Sequence, residues 1–127
     1  MSFAESFSIM KTVKGDIALE QQKLTLAIDS LVVISTPVDT GRARANWIVS
    51  QRRANNLEKP EPTSPSQGAQ EAQAQAQREA EKTEAFSLTF IQNNLPYIDA
   101  LNSGSSQQAP SNFVERAVEK AVNAGAL

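Results

Sequence analysis

Asp39-Thr40-Gly41 is the first place in this chain where residue types and spacing could do chemistry. A carboxylate held in a tight turn, brought against its own copy across a two-fold axis, shares a proton with that copy and activates water. Directly after it, Arg42, Arg44, Arg52 and Arg53 form a local basic cluster, the kind of charge that contacts phosphates. Glu79, Glu81 and Glu84 offer carboxylates farther on, within a run of strong helix formers. Helical geometry scatters those three, so they read as a solvated face.

Paired-carboxylate chemistry also requires particular surroundings. In an aspartic protease half, the Asp lies on a loop after a strongly apolar strand, within a chain of many alternating strands. Here a long helical pattern and Pro37 precede Asp39, and Arg42-Ala43-Arg44 follows it. Asp39-Thr40-Gly41 therefore reads as a turn, in which Asp39 bonds its own downstream backbone and Gly41 takes a positive φ. Other routes to catalysis narrow as well. The 127 residues include no histidine and no cysteine. Imidazole bases, thiolate nucleophiles, disulfides and His- or Cys-ligated metals are thereby excluded. A serine nucleophile would need a lysine base, and no Ser-x-x-Lys element stands before a plausible pocket. The five glycines are dispersed and make no phosphate loop. The reading is of a protein without catalysis, metal or cofactor.

The net charge of −2 and a pI near 5.1 give no general attraction to nucleic acid. The arginine cluster has salt bridges to neighbouring acids as its plain role, and only Trp47 interleaves with it. No apolar run approaches the ~20 residues of a membrane span. "MSFAESFSIMKTVKGD" lacks the basic-then-apolar order of a signal peptide, so a reducing cytoplasm is expected.

The elements that must position these residues follow from periodicity. Phe3, Phe7, Met10, Val13, Ile17, Leu24, Ile28 and Leu31 recur at helical steps, predicting a long helix to about Ser35, with Gly15 a candidate bend. At ~1.5 Å per residue, ~33 residues span about 50 Å, too long for one small core. Ile17 to Ile34 is assigned to the core, and the Phe3, Phe7, Met10 face to a neighbouring subunit. Pro37 ends the helix. "NWIVSQR" reads as a strand, and "FSLTFIQN", from Phe86 to Asn93, as a second strand pairing with it. Between them lies a flexible Pro-rich loop at about 54–67, then an Ala/Gln run with a thin alanine stripe, read as a solvated helix. Tyr97 to Leu101 makes a helical turn before a Gly-Ser-rich loop. A short C-terminal helix follows, capped by Ser111 or by Asn112, the latter with Glu115 placed to close a capping box. The whole is a single α+β domain over 1–127: a long N-terminal helix, a small antiparallel sheet, an additional weak helix and a short C-terminal helix.

"TPVDTGRARANW" resembles the element shared by neck or tail-completion (head–tail joining) proteins of long-tailed bacteriophages. In that family a long helix leads through a proline into a Val-Asp-Thr-Gly-Arg turn and then a strand. "NNLPYIDALNSGSSQQAP" followed by "SNFVERAVEKAV" looks like the family's later parts in the same order. The resemblance covers Ser2 to Val122 except the Pro-rich loop and Ala/Gln helix. It implies a structural virion protein, assembled in the host cytoplasm as a homo-oligomeric, typically hexameric ring. Its partners would be connector or head-closure proteins on one side and the tail terminator or tail tube on the other. Genome DNA would pass through the lumen without specific binding, and no membrane is involved. Asp39, Thr40 and Gly41 carry over as the turn and Arg42 as its basic residue, with Arg44 beside it. Trp47 carries over as the strand aromatic, and Pro96 with Tyr97 as the second landmark. Asn102 stands where many relatives have an acidic residue. Tail-terminator or head-closure ring proteins, a DNA-binding accessory protein and, last, an aspartic protease are the alternatives.

Overall fold

The computed structural model describes residues 2–105 and 111–125. Helix α1 runs unbroken from Phe3 to Ser35. Its start is a capping box: the Ser2 hydroxyl accepts the Glu5 N–H at 3.1 Å, and Glu5 accepts the Ser2 N–H at 3.1 Å. Gly15 lies within the helix without interrupting it. Thr36, in extended conformation before Pro37, terminates it.

After a turn come the short helix α2 (Arg42–Ala45) and strand β1 (Trp47–Gln51). Helix α3 (Pro65–Ala80) and strand β2 (Thr89–Asn93) follow. β1 and β2 pair antiparallel, with Trp47 opposite Asn93 and Gln51 opposite Thr89. A single turn α4 (Ile98–Ala100), a π-type turn (Leu101–Ser105) and helix α5 (Phe113–Gly125) complete the order. The α+β architecture expected from the sequence is the one observed.

The core gathers Val32, Val33, Trp47, Ala72, Phe113 and Ala117, with Ile28, Leu31 and Ile91 packed around them. Helix α1 is the spine, contacting α5, α3 and both strands. Its buried face is set by Val32 and Val33, while Ile34 is 59% exposed and so lies outside the core assigned to it.

Helix α3 corrects a second expectation, because it is not a solvated helix. Gly68, Ala72, Ala76 and Ala80 recur every four residues, form one face and are all buried. Side chains this small let α3 lie close against α1, α2 and β1. Gln75 then closes the outer edge of β1. Its amide accepts the Val49 N–H at 3.0 Å and donates to the Val49 carbonyl at 2.7 Å, as a third strand would.

The Pro-rich stretch is shorter and more firmly held than a flexible loop over 54–67. Ser64 caps α3 and Pro65 is its first residue, the position where a missing N–H costs nothing. Asn55 donates its N–H to Gln92, and Asn94 donates to the carbonyls of Asn55 and Leu57.

Strand β2 begins three residues later than the alternation suggested. Phe86 has φ 67°, outside the extended region, and its N–H is taken by the Gln21 side chain at 2.7 Å. Phe86 and Leu88 are left exposed.

Helix α5 is capped from a distance. Asn102 accepts the Val114 N–H at 3.0 Å and donates to both Glu115 carboxylate oxygens. Asn112, expected to share that role, instead takes a left-handed φ of 62°. The structure thus gives position 102 a capping amide that also binds the Glu115 carboxylate. Part of the Gly-Ser-rich loop, 106–110, lies outside the described residues.

Candidate functional site

Residues 36–47 close on themselves through side-chain bonds to the backbone. Thr36 is fully buried, and its hydroxyl donates to the Val32 carbonyl while accepting the Trp47 indole N–H at 2.8 Å. Arg44 reaches back to the end of α1, donating to the carbonyls of Ile34 at 2.7 Å and Thr36 at 2.8 Å. Carbonyls at a helix C-terminus lack intrahelical donors, and a cation there also meets the negative end of the helix dipole. Partial burial lowers the Arg44 pKa from its ordinary value.

Arg42 and Asn46 hold the Pro-rich segment. Arg42 Nε donates to the Lys59 carbonyl at 2.9 Å. Asn46, buried, donates to the carbonyls of Arg42 and Lys59 and accepts the Lys59 N–H at 2.6 Å. Asn93 donates to the Ala43 carbonyl at 2.8 Å, tying β2 to the same knot. Gly41 sits at φ 86°, and a Cβ there would meet Pro65 Cα at 2.5 Å. The glycine is required both by its conformation and by the close approach of α3.

One expectation about the turn changes. The Arg42 N–H is accepted by the Thr40 hydroxyl at 3.2 Å, so the local side-chain bond belongs to Thr40 rather than Asp39. Asp39 is exposed, and its carboxylate makes no hydrogen bond or ion pair among the described residues. Trp47, carried over as the strand aromatic, is 5% exposed and belongs to the core.

The arginine cluster is largely engaged. Arg42 and Arg44 hold carbonyls, and Arg52 pairs with Glu84. Arg53, exposed, is the one without such a side-chain bond among the described residues, so the four do not form a continuous phosphate-binding face.

What remains accessible is a cleft of about 830 Å³ beside the knot. Asp39, Thr40, Gly41 and Arg42 form one side, Pro60 and Glu61 another, and Tyr97 with Leu101 the third. The first landmark and Tyr97 of the second therefore face each other, although far apart in sequence. Pro96 is exposed next to Tyr97.

The other predicted interface lies at the far end of α1. Met10 is 56% exposed. The side chains of Phe3 and Phe7 lie outside the described residues.

Sequence reasoning missed Gln21, Asn46, Gln75 and Asn93. Each is a side-chain amide that binds backbone, and only Asn46, inside the twelve-residue motif, carried a signal of position. No group of His, Cys, Asp and Glu able to hold a metal is found among the described residues, and none of their helices is long and apolar enough to cross a membrane. No family model, curated protein or solved structure matches this chain.

Proposed function

We propose that this chain is a structural virion protein of a tailed phage, a ring-forming neck subunit that joins the DNA-filled head to the tail. The observation that carries this reading is the cleft at the motif. The Asp39–Arg42 turn and Tyr97 meet there, while Thr36, Arg44, Asn46 and Trp47 are locked into the supporting framework. The motif thus builds a rigid, shaped surface, the requirement for docking other proteins. A long helix that is exposed on every side from Met10 to Asp16 supports the same reading, because a ring supplies each copy with neighbours on two sides.

Asp39 fits a docking role better than a hydrolytic one. It is exposed on a turn after a helix, and the cleft's second carboxylate, Glu61, belongs to the Pro-rich segment rather than to a matching loop.

The test is assembly. Native mass spectrometry and negative-stain imaging of the purified protein should reveal a closed ring, alone or on isolated necks. Phage lacking the gene should accumulate filled heads and unattached tails, and added protein should join them. Normal joining in its absence would overturn the reading.

A further inference from the structure

Resting on the ring reading above, we infer that the uncovered front of α1 in one copy seats in the Asp39–Tyr97 cleft of the next copy, giving a head-to-tail contact. The two surfaces are complementary. From Lys11 to Asp16 every residue of α1 is exposed. Met10, Val13 and Lys14 stand three and four positions apart, so they share one face. Val13 is 49% exposed, and Lys14 has no ion pair within the described chain. The projection therefore offers two apolar side chains and one cation.

The cleft offers the converse. Pro37, Pro60, Tyr97 and Leu101 supply apolar walls, and the carboxylates of Asp39 and Glu61 stand exposed at the rim. Neither carboxylate has an ion pair or hydrogen bond among the described residues. The one cation in the lining, Arg42, is held through Nε by the Lys59 carbonyl. At about 830 Å³ the space accommodates the side chains of a helical turn or more.

A chain cannot fill its own cleft with its own front. Val13 and the end of α1 at Ser35 are separated by about 33 Å of continuous helix at ~1.5 Å per residue, and the cleft begins just beyond, at Pro37. Projection and socket are also different surfaces at opposite ends of one rigid helix. Such a contact is heterologous, and it closes into a ring when the rotation per copy permits.

The absence of cysteine makes the contact directly testable. A Val13→Cys protein is mixed with an equal amount of a Pro60→Cys protein and oxidised gently; both positions are exposed, and circular dichroism checks that each variant folds. Chance collision gives mixed and like-with-like disulfides in the statistical ratio. Docking should raise the mixed product several-fold above it. Lys14→Glu in the first protein should return the ratio to statistical, and Asp39→Lys with Glu61→Lys in the second should restore the excess. A statistical ratio without the charge changes, a predominance of Val13→Cys homodimers, or failure of the reversed charges to restore the excess would overturn the inference. The native mass of unmodified protein at the same concentration separates the two readings. Rings with a statistical ratio sink the docking mode alone; monomers with a statistical ratio count against the ring as well.

Discussion

The indole N–H of Trp47 donates to the Thr36 hydroxyl at 2.8 Å, joining the first residue of the sheet to the residue that ends the long helix. Both are buried, so neither has water as an alternative partner. Thr36→Val keeps the shape but leaves the indole donor unsatisfied, and should cost about 1–3 kcal/mol. Thr36→Ser retains the hydroxyl and should cost less. Urea unfolding of the two variants makes the comparison, and a Thr36→Ser loss larger than a negligible Thr36→Val loss would mean that the methyl group matters and the bond does not.

Arg44 should be intolerant of lysine. Its Nε and terminal nitrogen serve two different carbonyls at the end of α1, a fork that a single ammonium does not reproduce. Arg44→Ala is expected to lose about 1–3 kcal/mol, with Arg44→Lys recovering less than half of it. Full recovery by lysine in denaturant titrations would show that charge at the helix end suffices.

Two glycines should respond oppositely to alanine. Gly41 has φ 86° and no room for a Cβ against Pro65, so Gly41→Ala should destabilise and loosen the turn from α3. Gly15 sits in a helix, and a methyl group added there would meet nothing within 4 Å, so Gly15→Ala should stabilise by up to about 1 kcal/mol. Thermal melts of both variants at one protein concentration give the signs.

Asp29 should make stability depend on pH. It is 1% exposed on α1, one carboxylate oxygen lacks any partner, and burial raises its pKa from 3.8 to about 7. Because the folded state holds the proton more tightly, the stability present below pH ~4 should fall as pH rises towards 7 and level off above it. The size is on the order of 4 kcal/mol at most. Asp29→Asn should flatten this dependence and be the more stable protein at pH 8. Parallel slopes for the two proteins between pH 5 and 8 would show that Asp29 does not titrate there.

Local information by itself determined the elements and their class. Apolar steps of three and four marked α1, and Pro37 marked its end, because helix periodicity and proline geometry act over a few residues. Gly41 was legible as a positive-φ position for the same reason, as were the pairing of "NWIVSQR" with the second strand and the absence of imidazole and thiol chemistry. The tertiary structure decided everything that depends on which distant groups meet. The alanines of α3 have too little apolar surface to announce burial, yet close approach to α1 and β1 buries them. Amides such as Gln75 and Asn102 look like surface residues until the backbone they satisfy is in place. Ile34 is exposed although its segment was assigned to the core, because periodicity alone does not fix a helix's rotation to within a residue. The cleft itself joins Asp39 to Tyr97 across a separation that no local pattern spans, since contacts between distant segments are set by packing rather than by propensity.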